Sequence, residues 1–212
     1  MSAGVAGTRK VTVPSFSFHH WLSVVILIVL TPSGLVSILD ICFVPLSVIY
    51  LYYLAKFVFP PAPQPYDASI FTNSKIFVTY FLASFIIGIF LPLGYILYGV
   101  FSGDKIGVSA AAPHLFLLAG QGFMEAFAFC SGFSKPVNVV VPILYNARRI
   151  FSLGDWLKAE MLRTDGSARV MMGRAFAALN MGFWLYNLFG FLIPLYLPRA
   201  FKKYYSVVQA KP

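Results

Sequence analysis

The chain has 212 residues, of which 59% are hydrophobic and 11% are charged, and its formal net charge is +9. Soluble domains are about 45–50% apolar and about 25% charged, so this composition excludes an ordinary soluble domain and predicts one integral membrane domain. The basic residues flank apolar segments rather than forming an aromatic-rich face. We therefore interpret them as signals of membrane orientation and expect no nucleic-acid partner.

Residues 1–15 contain Arg9 and Lys10 and no acidic residue, and we expect them to be a flexible N-terminus. Trp21–Leu30 could be the hydrophobic region of a cleaved signal peptide, but no small-residue cleavage site follows it. We therefore predict a retained first membrane segment. We expect an ER-like endomembrane location, and the faint transit-peptide character of the N-terminus leaves a chloroplast membrane as the alternative.

Long apolar runs predict an all-α, polytopic bundle, because about 20 apolar residues cross the hydrocarbon core of a bilayer. The run from Trp21 to Ala55 is too long for one crossing, and Thr31-Pro32-Ser33-Gly34 divides it, since proline suits the first position of a helix. The proline-rich residues 60–65 end the second helix. The five predicted spans are residues 16–30, 32–59, 75–101, 110–130 and 170–197.

The third predicted span carries small and kinking residues on one face. Gly88, Pro92, Tyr95 and Gly99 follow one another at helical spacing. Small residues allow helix backbones to approach closely in a membrane. We therefore predict that this face packs against another helix.

Residues 137–145 are apolar but too short to span, so we predict that residues 137–164 form an interfacial segment whose second half is an amphipathic helix capped by Ser152. With the N-terminus on the inner side, five spans place about 11 Lys and Arg residues inside and about 5 outside. A sixth crossing through residues 137–150 gives about 9 and 7. The five-span arrangement is therefore preferred, and it places the basic tail, residues 199–212, on the outer side.

Three polar residues share one face of the fourth predicted span. His114, Gln121 and Glu125 lie within about 40° of one another at 100° per residue. A carboxylate at bilayer depth needs a partner, and the last span offers two amides on one face, Asn180 and Asn187. We predict that these five residues form a buried polar cluster. Three interpretations stay open: polar contacts that only hold helices together, a ligand or transport site, and a Glu125 that is solvated at the interface.

Three arginines are candidate contacts for anionic lipid headgroups. Arg148, Arg149 and Arg163 adjoin the predicted amphipathic helix, and each basic residue near an anionic surface contributes about 1 kcal/mol. A plain topology signal is the equal alternative.

No motif indicates catalysis, a cofactor or a metal. Cys42 and Cys130 fall within predicted spans without Cys/His spacing, and Gly120-Gln121-Gly122 lacks the third glycine of a dinucleotide site. We therefore expect a protein that is not an enzyme and has no cofactor.

The chain resembles a group of uncharacterised plant multi-pass membrane proteins that carry a domain of unknown function. The segments that carry the resemblance are residues 114–121, 123–125, 145–151 and 155–157. The resemblance covers about residues 110–160. It implies a plant source and a helical membrane domain, and it brings no activity, ligand or catalytic residue. Together with the residues, it favours a membrane subunit or adaptor that binds a partner protein or lipid. The alternative is a small carrier or channel that uses the polar cluster.

Overall fold

The computed structural model describes residues 18–61 and 75–209, and every regular element within them is helical. The predicted all-α fold is therefore confirmed for this part of the chain. The helices are α1 Phe18–Leu30, α2 Ile38–Tyr53, α3 Lys75–Phe85, α4 Leu91–Ser102, α5 Lys105–Cys130, α6 Lys135–Leu162, α7 Ala168–Tyr186 and α8 Leu197–Gln209. Three π-helical segments extend or join them: Leu54–Val58 after α2, Ile86–Phe90 between α3 and α4, and Asn187–Tyr196 between α7 and α8.

Four helical stretches are long and apolar enough to cross a membrane: Ile38–Val58, Leu82–Ser102, Lys105–Cys130 and Ala168–Gln209. Trp21–Leu30 is a shorter apolar helix. Many large apolar side chains on these stretches point outward, which in a membrane protein places them against lipid rather than water. The arrangement is compatible with an integral membrane protein.

Capping residues set helix boundaries that the hydropathy pattern misses. α2 begins at Ile38 rather than at Pro32, because the Ser37 side chain accepts a hydrogen bond from the Asp40 backbone N–H at 3.2 Å. α5 begins at Lys105 rather than at residue 110, because Asp104 accepts a hydrogen bond from the Gly107 N–H at 3.1 Å. Gly103, at φ 72°, makes the tight turn from α4 into α5.

The predicted packing face of the third span is confirmed. Gly88, Pro92, Tyr95 and Gly99 are all buried. A Cβ atom on Gly88 would lie 2.6 Å from Cζ2 of Trp184, so the missing side chain allows α7 to pack closely against this face.

α6 packs antiparallel to α5 along its whole length. A short turn joins Cys130 to Lys135, the Tyr145 ring lies against Gly120, and Arg163 bonds to Asp104 at the other end. Ser152 is buried in the middle of this helix, so the separate amphipathic helix predicted to begin there is wrong. Hydropathy suggested a surface segment because it counts the polar residues of α6 as facing water, whereas several of them bond to neighbouring helices.

The first and last described residues lie toward the same end of the bundle, the end marked by Cys130. α1 runs antiparallel to α5, since Ser23 lies beside Gly122 while Leu30 packs near Phe116 and Leu117. At the other end of the sequence, α8 returns to the end of α2, where the Tyr204 hydroxyl donates to the Pro60 carbonyl at 3.1 Å. Part of the predicted basic tail is thus a packed helix.

The Cys130 end of the bundle is basic. Lys56, Lys135, Arg199, Lys202 and Lys203 lie on the segments that meet there, and the acidic Glu125 lies five residues before Cys130 on α5. The opposite end, marked by Lys105, carries both acidic and basic side chains that form ion pairs.

Candidate functional site

Arg149 lies at the centre of the polar site, in the middle of α6. Its side chain is fully buried, and its guanidinium carbon lies 4.2 Å from the centroid of the Trp184 ring on α7. Its Nη2 donates a hydrogen bond to Oε1 of Gln121 on α5, and its charge interacts electrostatically with Glu125. One buried cation therefore connects α5, α6 and α7.

Gln121 links this cation to a carboxylate at the surface. Its Oε1 accepts from Arg149, which leaves its Nε2 to donate to Oε1 of Glu125 at 2.8 Å. The Glu125 side chain is exposed, although Tyr80 and Tyr196 are close enough to interact with it electrostatically. The sequence predicted that Asn180 and Asn187 enclose Glu125. In the structure Glu125 lies at the surface of the bundle instead.

His114 also lies near the Trp184 ring. It is fully buried, and its ring lies 6.2 Å from the Trp156 ring and 6.3 Å from that of Trp184. Its Nε2 lies 3.0 Å from the Gly88 carbonyl oxygen, in the π-helical segment Ile86–Phe90. Because a carbonyl only accepts, Nε2 carries a hydrogen and donates it to Gly88.

Asn180 on α7 and Asn187 at the start of the following π-helical segment have different hydrogen-bond partners. Asn180 bonds within its own helix, donating to the Phe176 carbonyl at 3.0 Å and accepting from Trp184 Nε1 at 3.3 Å. Asn187 accepts from the Tyr80 hydroxyl on α3. Asn180 therefore orients the indole on which Arg149 rests, and Asn187 ties α3 to α7.

The structure gathers four of the five predicted cluster residues around Arg149 and Trp184. Gln121 and Glu125 are hydrogen-bonded to each other, the His114 ring lies near the Trp184 ring, and Asn180 accepts a hydrogen bond from the Trp184 indole. The sequence missed the role of Arg149 because its neighbours on the chain suggested a surface helix. The signal that could have found it was its position beside Arg148, since adjacent residues point about 100° apart and both cannot face the same surface.

Several buried polar atoms of this region have no hydrogen-bond partner among the described residues. They are Arg149 Nε and Nη1, His114 Nδ1, Trp156 Nε1 and both amide atoms of Asn146, which lies one turn before Arg149. An unsatisfied buried polar group costs about 1–3 kcal/mol. These atoms can bind water or a small polar ligand, whereas no group of three or more potential metal ligands occurs in the part of the chain described.

The three arginines predicted to contact lipid headgroups occupy three different places. Arg149 is inside the bundle and not at a membrane surface, because α6 turns it toward α5 and α7. Arg148 pairs with Asp40 of α2 at 2.8 Å, and Arg163 pairs with Asp104 at 3.0 Å.

An ion-pair network that sequence reasoning missed joins four helices at the Lys105 end. Asp104 accepts from Nη1 of Arg163 at 3.0 Å and from Nε of Arg169 at 2.5 Å. Arg163 also lies 3.4 Å from the fully buried Glu160, whose Oε1 accepts from the Tyr95 hydroxyl at 2.5 Å. The network ties the α4–α5 turn to the α6–α7 connection, and its closed set of contacts indicates a structural role.

Asp104 stays ionised in this network. Burial by itself would raise the pKa of its carboxyl group, but hydrogen bonds from the Gly107 N–H, Arg163 and Arg169 outweigh burial and lower the pKa below its ordinary value of 3.8. Burial by itself would lower the pKa of Arg163, but its hydrogen bond to Asp104 and the negative charges of Asp104, Glu160 and Asp165 raise it.

A family model described as a domain of unknown function, DUF7733, matches residues 16–205, nearly the whole chain. Neither a comparison with curated proteins nor one with solved structures found a match. The family description brings no activity or ligand, so a function has to be argued from the geometry of the site.

Proposed function

We propose that the chain, which belongs to the DUF7733 family, is a non-enzymatic multi-pass membrane protein that acts as a subunit or adaptor and binds a partner protein or lipid. The exposed Glu125 carboxylate is the observation that carries this proposal. It belongs to an apolar helix that is long enough to cross a membrane, and it ends at the surface of that helix bundle.

An ionised carboxylate that faces lipid is costly unless a partner or water compensates it. Gln121 supplies one hydrogen bond to Oε1 of Glu125, and Arg149 holds Gln121 in the orientation that does so. Glu125 Oε2 makes no hydrogen bond within residues 18–61 and 75–209, so it is available to an outside donor. A basic or hydroxyl-bearing side chain of another membrane helix fits this acceptor, as does a lipid ammonium group.

The surface around Glu125 suits a helix or an acyl chain. Phe129, one turn further along α5, is 64% exposed. A polar anchor next to a large apolar side chain matches the mixed contacts by which membrane helices associate. The fixed Gln121 side chain lowers the entropy cost of binding because the acceptor is already oriented.

Site-specific photocrosslinking in native membranes tests the proposal. A photoreactive residue in place of Phe129 is expected to give a discrete protein or lipid adduct, and Glu125→Gln is expected to remove it, because the amide loses the charge that attracts the partner. The same photoreactive residue in place of Phe101, which is 87% exposed at the Lys105 end, serves as the control and should not respond to Glu125→Gln.

Asp165→Asn is the matched acid-to-amide control, since Asp165 is exposed in the α6–α7 connection at the opposite end of the bundle. Adducts at position 129 that are the same in wild type and Glu125→Gln, at equal protein levels, would show that Glu125 does not recruit the partner.

A small carrier or channel is the second candidate, and the unpartnered Nε and Nη1 donors of Arg149 favour it. A carrier must admit water to this site, whereas a packing subunit must not. A Gln121→Cys variant in a background without Cys42 and Cys130 separates the two. Rapid labelling by a membrane-impermeant thiol reagent would support the carrier, and protection from both sides would support the subunit.

A further inference from the structure

Two cavities, one polar and one apolar, lie along α2 and α6, and α5 also lines the polar one; the two are together called the α2–α6 groove. Its polar part has a cavity volume of about 610 Å³ and is lined by Ser37, Asp40, Ser109, Arg148, Ser152 and Asp155, with apolar residues beside them. Its apolar part has a cavity volume of about 260 Å³ and is lined by Phe43, Leu46, Ser47, Tyr50 and Leu144.

The two parts adjoin, because they share one face of each helix. Leu144, Arg148 and Asp155 follow at i, i+4 and i+11 on α6, while Asp40 and Ser47 lie at i and i+7 on α2. Arg148 and Asp40 form an ion pair at 2.8 Å where the polar part meets the apolar part. The polar cavity and the apolar cavity thus follow each other along the same side of α2 and α6.

The charges in the polar part are positioned to bind a zwitterion. The Nε of Arg148 donates to Asp40, and its Nη1 and Nη2 donate to no group within the described part of the chain. Asp155 is exposed, and its carboxylate forms no ion pair with any described residue. At a rise of 1.5 Å per residue, Asp155 lies about 10 Å beyond Arg148 toward the Lys105 end. A cation and an anion therefore follow each other along the groove.

The depth of these groups matches that of a lipid headgroup. Ile38–Val58 has 21 residues and is about 31 Å long, close to the roughly 30 Å thickness of the hydrocarbon core. The start of α2, with Ser37 and Asp40, therefore lies at the edge of the core. The polar part of the groove lies at headgroup depth, and the apolar part lies among acyl chains.

We propose that the α2–α6 groove binds one zwitterionic phospholipid with a primary ammonium headgroup. The lipid phosphate accepts from the Nη donors of Arg148, and the ammonium group donates to Asp155. One acyl chain lies along Phe43, Leu46 and Tyr50. Arginine suits the phosphate because its fork of N–H donors matches two phosphate oxygens.

The lining also selects against other headgroups. One guanidinium stands against two carboxylates, so the groove is net negative and repels a lipid whose headgroup carries only the phosphate charge. A quaternary ammonium group has no N–H to donate to Asp155, so a choline headgroup binds less tightly than an ethanolamine headgroup. The site is separate from the Glu125 face and does not depend on it.

Native mass spectrometry of the purified full-length protein, titrated with phosphatidylethanolamine, phosphatidylcholine and phosphatidylglycerol of identical acyl chains, tests this site. Wild-type protein is expected to bind one phosphatidylethanolamine about tenfold more tightly than either of the other two, as one charge-assisted hydrogen bond accounts for about a factor of ten. Asp155→Asn should remove most of that preference, and Leu46→Trp, which fills the apolar part, should weaken all three lipids. Asp165→Asn, an acid-to-amide change at an exposed residue outside the lining of the groove, is the control and should change none of them.

Equal binding of the three lipids by wild-type protein would overturn the proposal, and so would a preference for phosphatidylglycerol. An unchanged ethanolamine preference in Asp155→Asn would do the same. The comparison of the three lipids uses wild-type protein, so it tests the proposal even if a variant fails to fold. Loss of the ethanolamine preference with an intact Glu125 adduct would leave the partner proposal standing.

Discussion

Replacing Arg149 by methionine is expected to leave the fold as stable as the wild type or to make it more stable. Moving a guanidinium out of water costs several kcal/mol even after relaxation, and Nε and Nη1 regain no hydrogen bond in the described part of the bundle. Against this, the charged hydrogen bond to Gln121 contributes about 1.5–3 kcal/mol. Stacking on the Trp184 ring at 4.2 Å contributes about 2 kcal/mol.

The two sides nearly cancel, and methionine fills a similar volume without a charge. We therefore expect a stability between the wild-type value and about 2 kcal/mol above it. At about 2–4 °C per kcal/mol for a chain of this size, the melting temperature in detergent should stay unchanged or rise by up to about 8 °C. Arg149→Ala is the control for packing, and it should lower the melting temperature because it leaves a cavity.

The same Arg149→Met substitution should lower the yield of the adduct at position 129, because Gln121 is no longer held toward Glu125. Arg149→Met should therefore keep or raise the melting temperature while it lowers the adduct yield, so this variant distinguishes the effect of Arg149 on stability from its effect on partner binding. A fall of more than about 4 °C in the melting temperature of Arg149→Met would refute the reasoning, since it would mean that the buried charge is a net source of stability.

Three further predictions concern other parts of the bundle. Gly88→Ala should lower the melting temperature by several degrees, because its Cβ would lie 2.6 Å from a ring carbon of Trp184. Gly94→Ala is the control and should leave the melting temperature unchanged or raise it, since no atom lies within 4 Å of its Cβ. An equal fall in melting temperature for both variants would contradict this packing. The pKa of Asp104 is lowered in the folded state, so this carboxylate stabilises the fold above its ordinary pKa of 3.8, and the stabilisation is lost as the pH falls below that value. The melting temperature of the wild type should therefore fall in this pH range. Asp104→Asn should have a lower melting temperature than the wild type at neutral pH, and that temperature should fall less in acid. Epitope tags at the two termini should both be cytosolic in permeabilisation assays, since both ends of the described chain lie at the basic Cys130 end, and tags on opposite sides would contradict this topology.

The helical content, and helices long and apolar enough to cross a membrane, were predictable from composition, because apolar runs of this length are typical of helices that cross a bilayer. The packing face was predictable as well, since Gly88, Pro92, Tyr95 and Gly99 share one side of a helix whatever packs there. The polar face of α5 followed from the same periodicity. These features depend on residues close together in the chain.

The place of α6 could not be read in this way, because its polar residues find partners far away in the sequence. Arg148 is 108 residues from Asp40, Glu160 is 65 from Tyr95, and Arg149 is 28 from Gln121. A hydropathy average assigns such residues to water, since it contains no information on pairing.

The last helical stretch, Ala168–Gln209, has 42 residues, more than one crossing of the hydrocarbon core requires. The additional residues are held against the bundle, because the Tyr204 hydroxyl of α8 donates to the Pro60 carbonyl at the end of α2. The π-helical segment Asn187–Tyr196 joins α8 to α7, which carries Trp184. A molecule that pulls α8 away from Pro60 would therefore act through one continuous helical stretch on the indole against which the Arg149 guanidinium lies.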